Sequence, residues 1–343
     1  MLEAHIENLS PTAWSEVMAI CPDVNLPQST EYGAAKASDD AWKVERGTIR
    51  DGAKIIGVFQ ALIRLMPLNA LPGGLVWISR GPVIIPSATE DADHYASALF
   101  ALRQLYADKR GLYLLIAPNW PESAWTVSMS KQAEMRPAGR AGWQSAILDL
   151  RPSEEVLRKG LKQKWRNALN KAEKAGLALI HAQDSTLFDD FLADHSRFIA
   201  AMGFNATVDE AFLRRLQEEL PLDKKLVTLG AQLDGVTLGW VLIARYGDTA
   251  EYLAGNSTDE GRRLNVGQLL LWQALLTAKA AGAQKFDVGG MDAELTPPGI
   301  FRFKQGIGAI PYGLAPEIEA LPSGLIANIL ARMVRWRVRS ARP

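Results

Sequence analysis

The sequence predicts an α/β protein with mixed sheets, built from two tandem copies of one unit. Chain length and an internal repeat predict it. At 343 residues the chain exceeds the roughly 250 to 300 residues at which one hydrophobic core stops growing, so two domains are expected. The halves also carry the same parts in the same order. In the first, WKVERGTIR turns at Asp51-Gly52 into KIIGVFQALIRLM; LVWISRGPVII, a helical stretch from Tyr95 to Arg110, Gly111 and LYLLIAPN follow. In the second, KKLVTLGAQL turns at Asp234-Gly235 into VTLGWVLIARY; AEYLAGNS, a helix from Val266 to Ala281, Gly282 and KFDVGG follow. The Asp-Gly turns lie 183 residues apart and the glycines after the helices 171 apart, a difference that loops absorb.

Each element has a local reason. Asp-Gly between alternating apolar runs marks a hairpin, because the tight turn needs positive φ. Glycine after a helix and before an apolar run marks a left-handed cap and the entry to a buried strand. The unit therefore reads as hairpin, strand, helix, strand. Between the copies, SEEVLRKGLKQKWRNALNKAEKAG has Ser153 as N-cap, acids in its first turn, lysines later and Gly176 at its end, which predicts one linking helix over 151–176. The expected domains are 1–150 and 177–343, the second with helices in TLFDDFLADHSRFIAAM and VDEAFLRRLQEEL ahead of its sheet and closed by a basic helix, LIANILARMVRWRVRSARP.

Composition excludes several classes. The 38 basic and 38 acidic side chains cancel, so no global basic field drives indiscriminate nucleic-acid binding. A single cysteine, Cys21, leaves no internal disulfide or Cys-rich metal site, and it reads as a buried thiol. GxSxG, HExxH, P-loop and GxGxxG motifs are missing, and His5, His94, His181 and His195 are dispersed without ligand spacing, so no metal is expected. MLEAHIENLSPTAW lacks a basic run followed by an apolar one, and no stretch approaches the ~20 apolar residues that span a bilayer. A cytoplasmic protein is expected.

The segment FDVGGMDAELTPPGIFRFKQGIGAIPYG follows a strand, where open α/β sheets place ligand crevices. Lys304 in it can stabilise a carbonyl oxyanion or be a solvated lysine. Arg302, its neighbouring cation, is a substrate-binding candidate. Asp287 can accept a proton from an attacking ammonium or bind the glycine turn behind it. Tyr252 and Asn256, in YLAGNS, are expected to face the same crevice as binding or packing groups. On the linking helix Lys162, Lys164, Arg166, Lys171 and Lys174, with Trp165 among them, can track a phosphate backbone or form a solvated face. Arg332, Arg335, Arg337 and Arg339 of the last helix can meet anionic lipid or complement the helix dipole.

These stretches, with Gln28-Ser29, Tyr32-Gly33 and Lys36 near the start, KWRNALNKAEKAG, YLAGNS, FDVGG and GIFRFKQGIG, resemble the FemABX peptidyltransferases in the family's order. The resemblance implies two tandem GNAT-like (acyl-CoA N-acyltransferase-like) domains. It implies transfer of an amino acid from aminoacyl-tRNA, as co-substrate, to an amine of a nucleotide-sugar or lipid-linked peptidoglycan precursor, forming an interpeptide bridge without a further cofactor. It further implies Lys304 at the transfer site and Lys36, Trp42 and Tyr252 on the precursor. The short linking segment resembles the compact members rather than those with coiled-coil arms. The alternative is an acyl-CoA-dependent N-acyltransferase acting on a small-molecule or peptide amine. Against it, Asn265 stands in Arg262–Gly267 where the phosphate-cradling loop of GNAT enzymes has its first glycine. The expected location is the cytoplasm, with peripheral contact at the inner face of the membrane through the C-terminal helix left open.

Overall fold

The computed structural model describes the whole chain except residues 1, 8, 22–23, 39–41, 67–72, 86–91, 183–184, 203–209 and 342–343. It falls into two compact units, one of residues 1–143 with 313–343 and one of residues 144–312. The chain begins with β1 (Glu3–Ile6), α1 (Pro11–Ala19), α2 (Thr30–Ala37), β2 (Lys43–Asp51), β3 (Lys54–Leu65), β4 (Gly74–Ser79), β5 (Val83–Ile84), α3 (Ala92–Arg103), β6 (Tyr113–Ala117), α4 (Ala124–Gln132) and β7 (Arg136–Pro137). The second unit adds β8 (Gln144–Asp149), α5 (Glu154–Gly160), α6 (Gln163–Ala172), β9 (Ala178–Ala182), α7 (Ser185–Met202), α8 (Glu210–Glu219), β10 (Val227–Leu233) and β11 (Val236–Tyr246). It continues with β12 (Thr249–Ser257), α9 (Asp259–Arg263), α10 (Val266–Ala280), β13 (Lys285–Asp287), α11 (Pro298–Gln305) and β14 (Ile310–Gly313). Then β15 (Ile318–Ala320) and α12 (Leu325–Ala341) return to the first unit.

Each unit holds one mixed sheet. The orders are β1-β2-β3-β4-β6-β15-β7, with β5 on β3, and β14-β8-β13-β12-β11-β10-β9. The repeat seen in sequence is explicit in the pairing. β2 and β3, like β10 and β11, form an antiparallel hairpin, and at the second turn Asp234 (φ 50°) and Gly235 (φ 80°) both take the left-handed conformation a tight hairpin requires. β3 pairs antiparallel to β4, and α3 crosses to β6, which lies parallel to β4; β11, β12, α10 and β13 repeat the arrangement.

The copies differ where it matters for a site. β4 and β6 stay paired from Leu75↔Tyr113 to Ser79↔Ala117. β12 and β13 pair only from Thr249↔Lys285 to Glu251↔Asp287, although β12 runs on to Ser257. Two parallel strands that part company leave a crevice between them, and it opens in the second unit. Beneath it lies a core of Val241, Ile243, Leu270, Trp272 and Phe286, large apolar side chains whose burial stabilises each by about 1.5 to 3 kcal/mol.

Two expectations about the ends of the domains need correction. The linking segment is two helices, and both belong to the second unit. The break falls at Leu161 and Lys162, whose backbone is extended; Leu161 is buried in the core and the Lys162 amide donates to the Gly306 carbonyl at 2.9 Å. Trp165, Leu169 and Ala172 of α6 then face inward at helical spacing. The C-terminal helix, expected in the second domain, belongs to the first: Ala331, Val334 and Val338 pack on Leu75, Tyr113 and Leu115. β15 carries Glu319, fully buried, which accepts hydrogen bonds from Tyr113 Oη at 2.6 Å, Arg136 Nε at 2.9 Å and Arg335 Nε at 2.9 Å. Cys21 is buried beside Trp14 and Met18. Among the described residues no helix is long and apolar enough to cross a membrane.

Candidate active site

The crevice is built from β12, β13, the turn after β13, and α11. Directly after β13, Gly289 takes φ +70°. A Cβ there would lie 2.4 Å from the Tyr252 carbonyl oxygen and 3.5 Å from Lys304 Nζ, so only glycine lets the chain turn this close to β12. Asp287 holds the turn. It is 2 % exposed and accepts from the Gly289 amide at 2.8 Å and from Tyr312 Oη of β14, while Ser145 Oγ of β8 lies within reach of both Asp287 and the Gly289 carbonyl. Its carboxylate thus meets one donor of the glycine turn and two hydroxyls of the flanking strands. Of the two roles open to it in sequence, binding the glycine turn is the one these contacts perform.

Lys304 enters the crevice from α11. Pro298 starts that helix, and Trp165 of α6 anchors its end: the indole Nε1 donates to the Phe303 carbonyl at 3.1 Å, and a Cβ at Gly306 would meet the indole at 2.3 Å. Lys304 is 7 % exposed. Its Nζ donates to the Gly290 carbonyl at 2.8 Å and sits 5.1 Å above the centre of the Tyr252 ring, a cation–π placement. Burial pushes its pKa down to about 8, partly offset by the charges of Asp287 and Glu251. At neutral pH the amine is therefore still a cation, and a poorly solvated one. Such a cation interacts strongly with negative charge developing beside it. Burial raises the Tyr252 phenol above its usual range, which keeps it a neutral hydroxyl.

The structure brings Lys304, Tyr252 and Asp287 together and places the other candidates elsewhere. Asn256 is on the opposite face of the sheet from Tyr252, contrary to expectation. The cause is a bulge. Tyr252 pairs with Ile243 and Ala254 with Leu242, so Leu253 is an extra residue that reverses the alternation of side chains. Asn256 accordingly pairs with Trp240, whose indole donates to Asp194 of α7 at 2.7 Å. Those three side chains line a cavity of about 320 Å³ with Arg197 and Phe198. Arg302 is exposed on α11.

Lys162, Lys164, Lys171 and Lys174 are exposed, on or beside α6, and Arg166, half-buried, donates to the Lys159 carbonyl at 3.2 Å. Lys36 and Trp42 belong to the first unit. Lys36 Nζ is 5.7 Å from the Tyr32 ring centre, and Trp42 is 6.3 Å from Trp77. The neighbouring Gln28 is structural: it is fully buried, donates to the Gln60 and Ser79 carbonyls, and accepts from the Gln60 amide. Asn265 caps α10 with φ 60°, the left-handed conformation that a glycine would otherwise supply.

Ser145 and Glu251 had no signal in the sequence. Ser145 lies 142 positions before Asp287 in an unremarkable strand, and Glu251, buried and accepting from Tyr246 Oη at 2.7 Å, reads as an ordinary strand carboxylate. Among the described residues no group of three or more His, Cys, Asp or Glu is placed to hold a metal ion.

Comparison with known proteins agrees with this architecture. Residues 158–305 match the family model of an acetyltransferase (GNAT) domain. The crystal structure of FemX superposes with a TM-score of 0.80 at 16 % identity, covering 96 % of this chain and 100 % of that one. A tandem GNAT protein from the clavulanic acid biosynthesis pathway gives 0.55 at 15 % identity, over 94 % of this chain and 100 % of that one. The C-terminal domain of a putative lysylphosphatidylglycerol synthetase from Agrobacterium fabrum gives 0.53 at 13 %, over 96 % of each chain. No curated protein sequence matches the chain. By fold the chain has the FemX and tandem GNAT architecture, and residues 158–305 of its second unit carry an acetyltransferase (GNAT) domain, which supports acyl transfer.

Proposed function

We propose that this protein is an aminoacyltransferase that moves an amino acid from aminoacyl-tRNA to an amine of a peptidoglycan precursor, forming an interpeptide bridge. The observation that carries the reading is the buried Lys304 ammonium at the point where β12 and β13 part, held by the Gly290 carbonyl and the Tyr252 ring. The acceptor amine attacks the ester carbonyl, and the oxyanion forms against Lys304 Nζ, which retains two further N–H donors besides the one given to Gly290. Collapse breaks the ester C–O bond. The tRNA hydroxyl leaves with the proton that the amine gives up, and no covalent enzyme intermediate forms. Tyr252 and Asp287 position Lys304, the first directly and the second through the Gly289 turn.

Lys36 and Trp42 are the proposed contacts of the first unit to the nucleotide-sugar or lipid-linked precursor, and Arg302 is a proposed substrate contact of the second. Lys162, Lys164, Arg166, Lys171 and Lys174, on or beside α6, are the proposed tRNA contacts. Support comes from the FemX fold and from the exposure of those lysines. The reading places the protein in the cytoplasm.

One observation favours a second reading, transfer from acyl-CoA. Asn265 already has the left-handed backbone of the missing glycine, so the start of α10 keeps free amides that can face a pyrophosphate. The test supplies purified protein with muropeptide precursor and either charged tRNAs or acyl-CoAs, read by mass spectrometry. A mass gain abolished by RNase and by Lys304→Met supports the first reading. A gain with acyl-CoA alone overturns it.

A further inference from the structure

A helix on a protein surface ordinarily buries one apolar stripe and turns charge to water. α12 has two apolar stripes. Its inner one, Ala327, Ala331, Val334 and Val338, faces the first unit, and Arg335 is tied to the buried Glu319. Its outer one consists of Leu325, Ile326, Ile329, Met333 and Trp336, exposed by 79, 61, 53, 49 and 69 %. At about 100° per residue these five fall within about one third of the helix circumference, opposite the inner stripe. Arg332 and Arg337, both exposed, flank the outer stripe, one on each side.

We propose that α12 is an interfacial docking helix that seats its outer face in the surface of an anionic phospholipid bilayer. Charge selects this occupant. From Leu321 to the end of the chain there is no Asp or Glu, so the rim of the stripe is purely cationic and matches phosphate headgroups. A second copy of the chain would bring the same arginines against themselves across a two-fold contact. The 17-residue helix is too short and too charged to cross a membrane, and lies along the interface instead. Trp336 is the residue type that settles at headgroup depth. The proposal concerns the first unit alone and holds whichever acyl donor the second unit uses.

The test is co-sedimentation of the full-length protein with vesicles of phosphatidylglycerol and phosphatidylcholine in equal parts, against vesicles of phosphatidylcholine alone. The wild type is expected to bind the anionic vesicles, and binding should fall with added salt. Ile329→Glu with Trp336→Glu is expected to abolish binding. Arg332→Gln with Arg337→Gln should weaken it by about five-fold per charge. Leu222→Glu, at an exposed leucine of the other unit, should change nothing. Melting curves establish which variants fold; if the glutamate pair does not, the glutamine pair decides. Equal binding to both vesicle types, no binding by the wild type, or variants that bind as it does would overturn the proposal. A wild-type dimer that the glutamate pair converts to monomer would assign the face to a second copy.

Discussion

Replacing Lys304 by methionine should make the protein inactive and, at neutral pH, no less stable. An ordinary lysine titrates near 10.5 and Lys304 near about 8. The difference of about 2.5 units corresponds to about 3 kcal/mol by which burial disfavours the charged form at neutral pH. Methionine has a similar shape and no charge, so it removes that penalty. It also leaves the Gly290 carbonyl without its amine donor, at a cost of about 1 to 3 kcal/mol. The net gain at pH 7 is expected to be about 0 to 2 kcal/mol, measured by chemical denaturation.

The pH dependence gives an internal control. Between pH 8 and 10.5 the unfolded wild type binds the lysine proton and the folded wild type has lost it. Wild-type stability from this group therefore rises with pH through that window by about 3 kcal/mol, and above it Lys304→Met becomes the less stable protein by the about 1 to 3 kcal/mol of the lost Gly290 hydrogen bond. A variant that is less stable than wild type at pH 7, with an offset that does not change up to pH 10.5, would refute the assignment of Lys304 as a poorly solvated cation.

Three further outcomes are expected from the same geometry. Asp287→Asn weakens the acceptor shared by the Gly289 amide, Tyr312 and Ser145 and should cost about 1 to 3 kcal/mol of stability; denaturation of this variant beside Tyr312→Phe separates the contributions. Gly289→Ala forces a Cβ against the Tyr252 carbonyl at positive φ, and should cost about 1 to 3 kcal/mol and lower turnover more than substrate binding, which steady-state kinetics would show. Arg335→Leu removes one of two arginines from the buried Glu319 and should destabilise by about 1 to 3 kcal/mol, measured by chemical denaturation.

The architecture was legible where it is local. Both Asp-Gly hairpins, the crossover helices and the strand after Gly282 follow from turn chemistry and periodicity, and the glycine-rich segment with Lys304 stands out from its surroundings. What the sequence hid is non-local. Nothing in the chain around Gly313 announces that β15 and α12 return to the first sheet. The break at Leu161 is set by the backbone of Gly306 and Gly308 packing against it, more than a hundred positions away. Leu253 shows no sign of being a bulge, yet that one extra residue decides whether Asn256 shares a face with Tyr252. Ser145 matters only because β8 pairs with β13.

The most direct test of Lys304 as the cation that meets the oxyanion is the pH dependence of single-turnover acyl transfer, compared between wild type, Lys304→Met and Lys304→Arg at saturating donor and acceptor. The wild-type rate is expected to fall as pH rises through about 8, where Lys304 loses its proton. Lys304→Met should be slower by about a hundred-fold or more at every pH, and Lys304→Arg should shift the fall upward or remove it, since arginine keeps its charge. A Lys304→Met variant that transfers within a few-fold of wild type and retains the same decline above pH 8 would contradict the role given to Lys304.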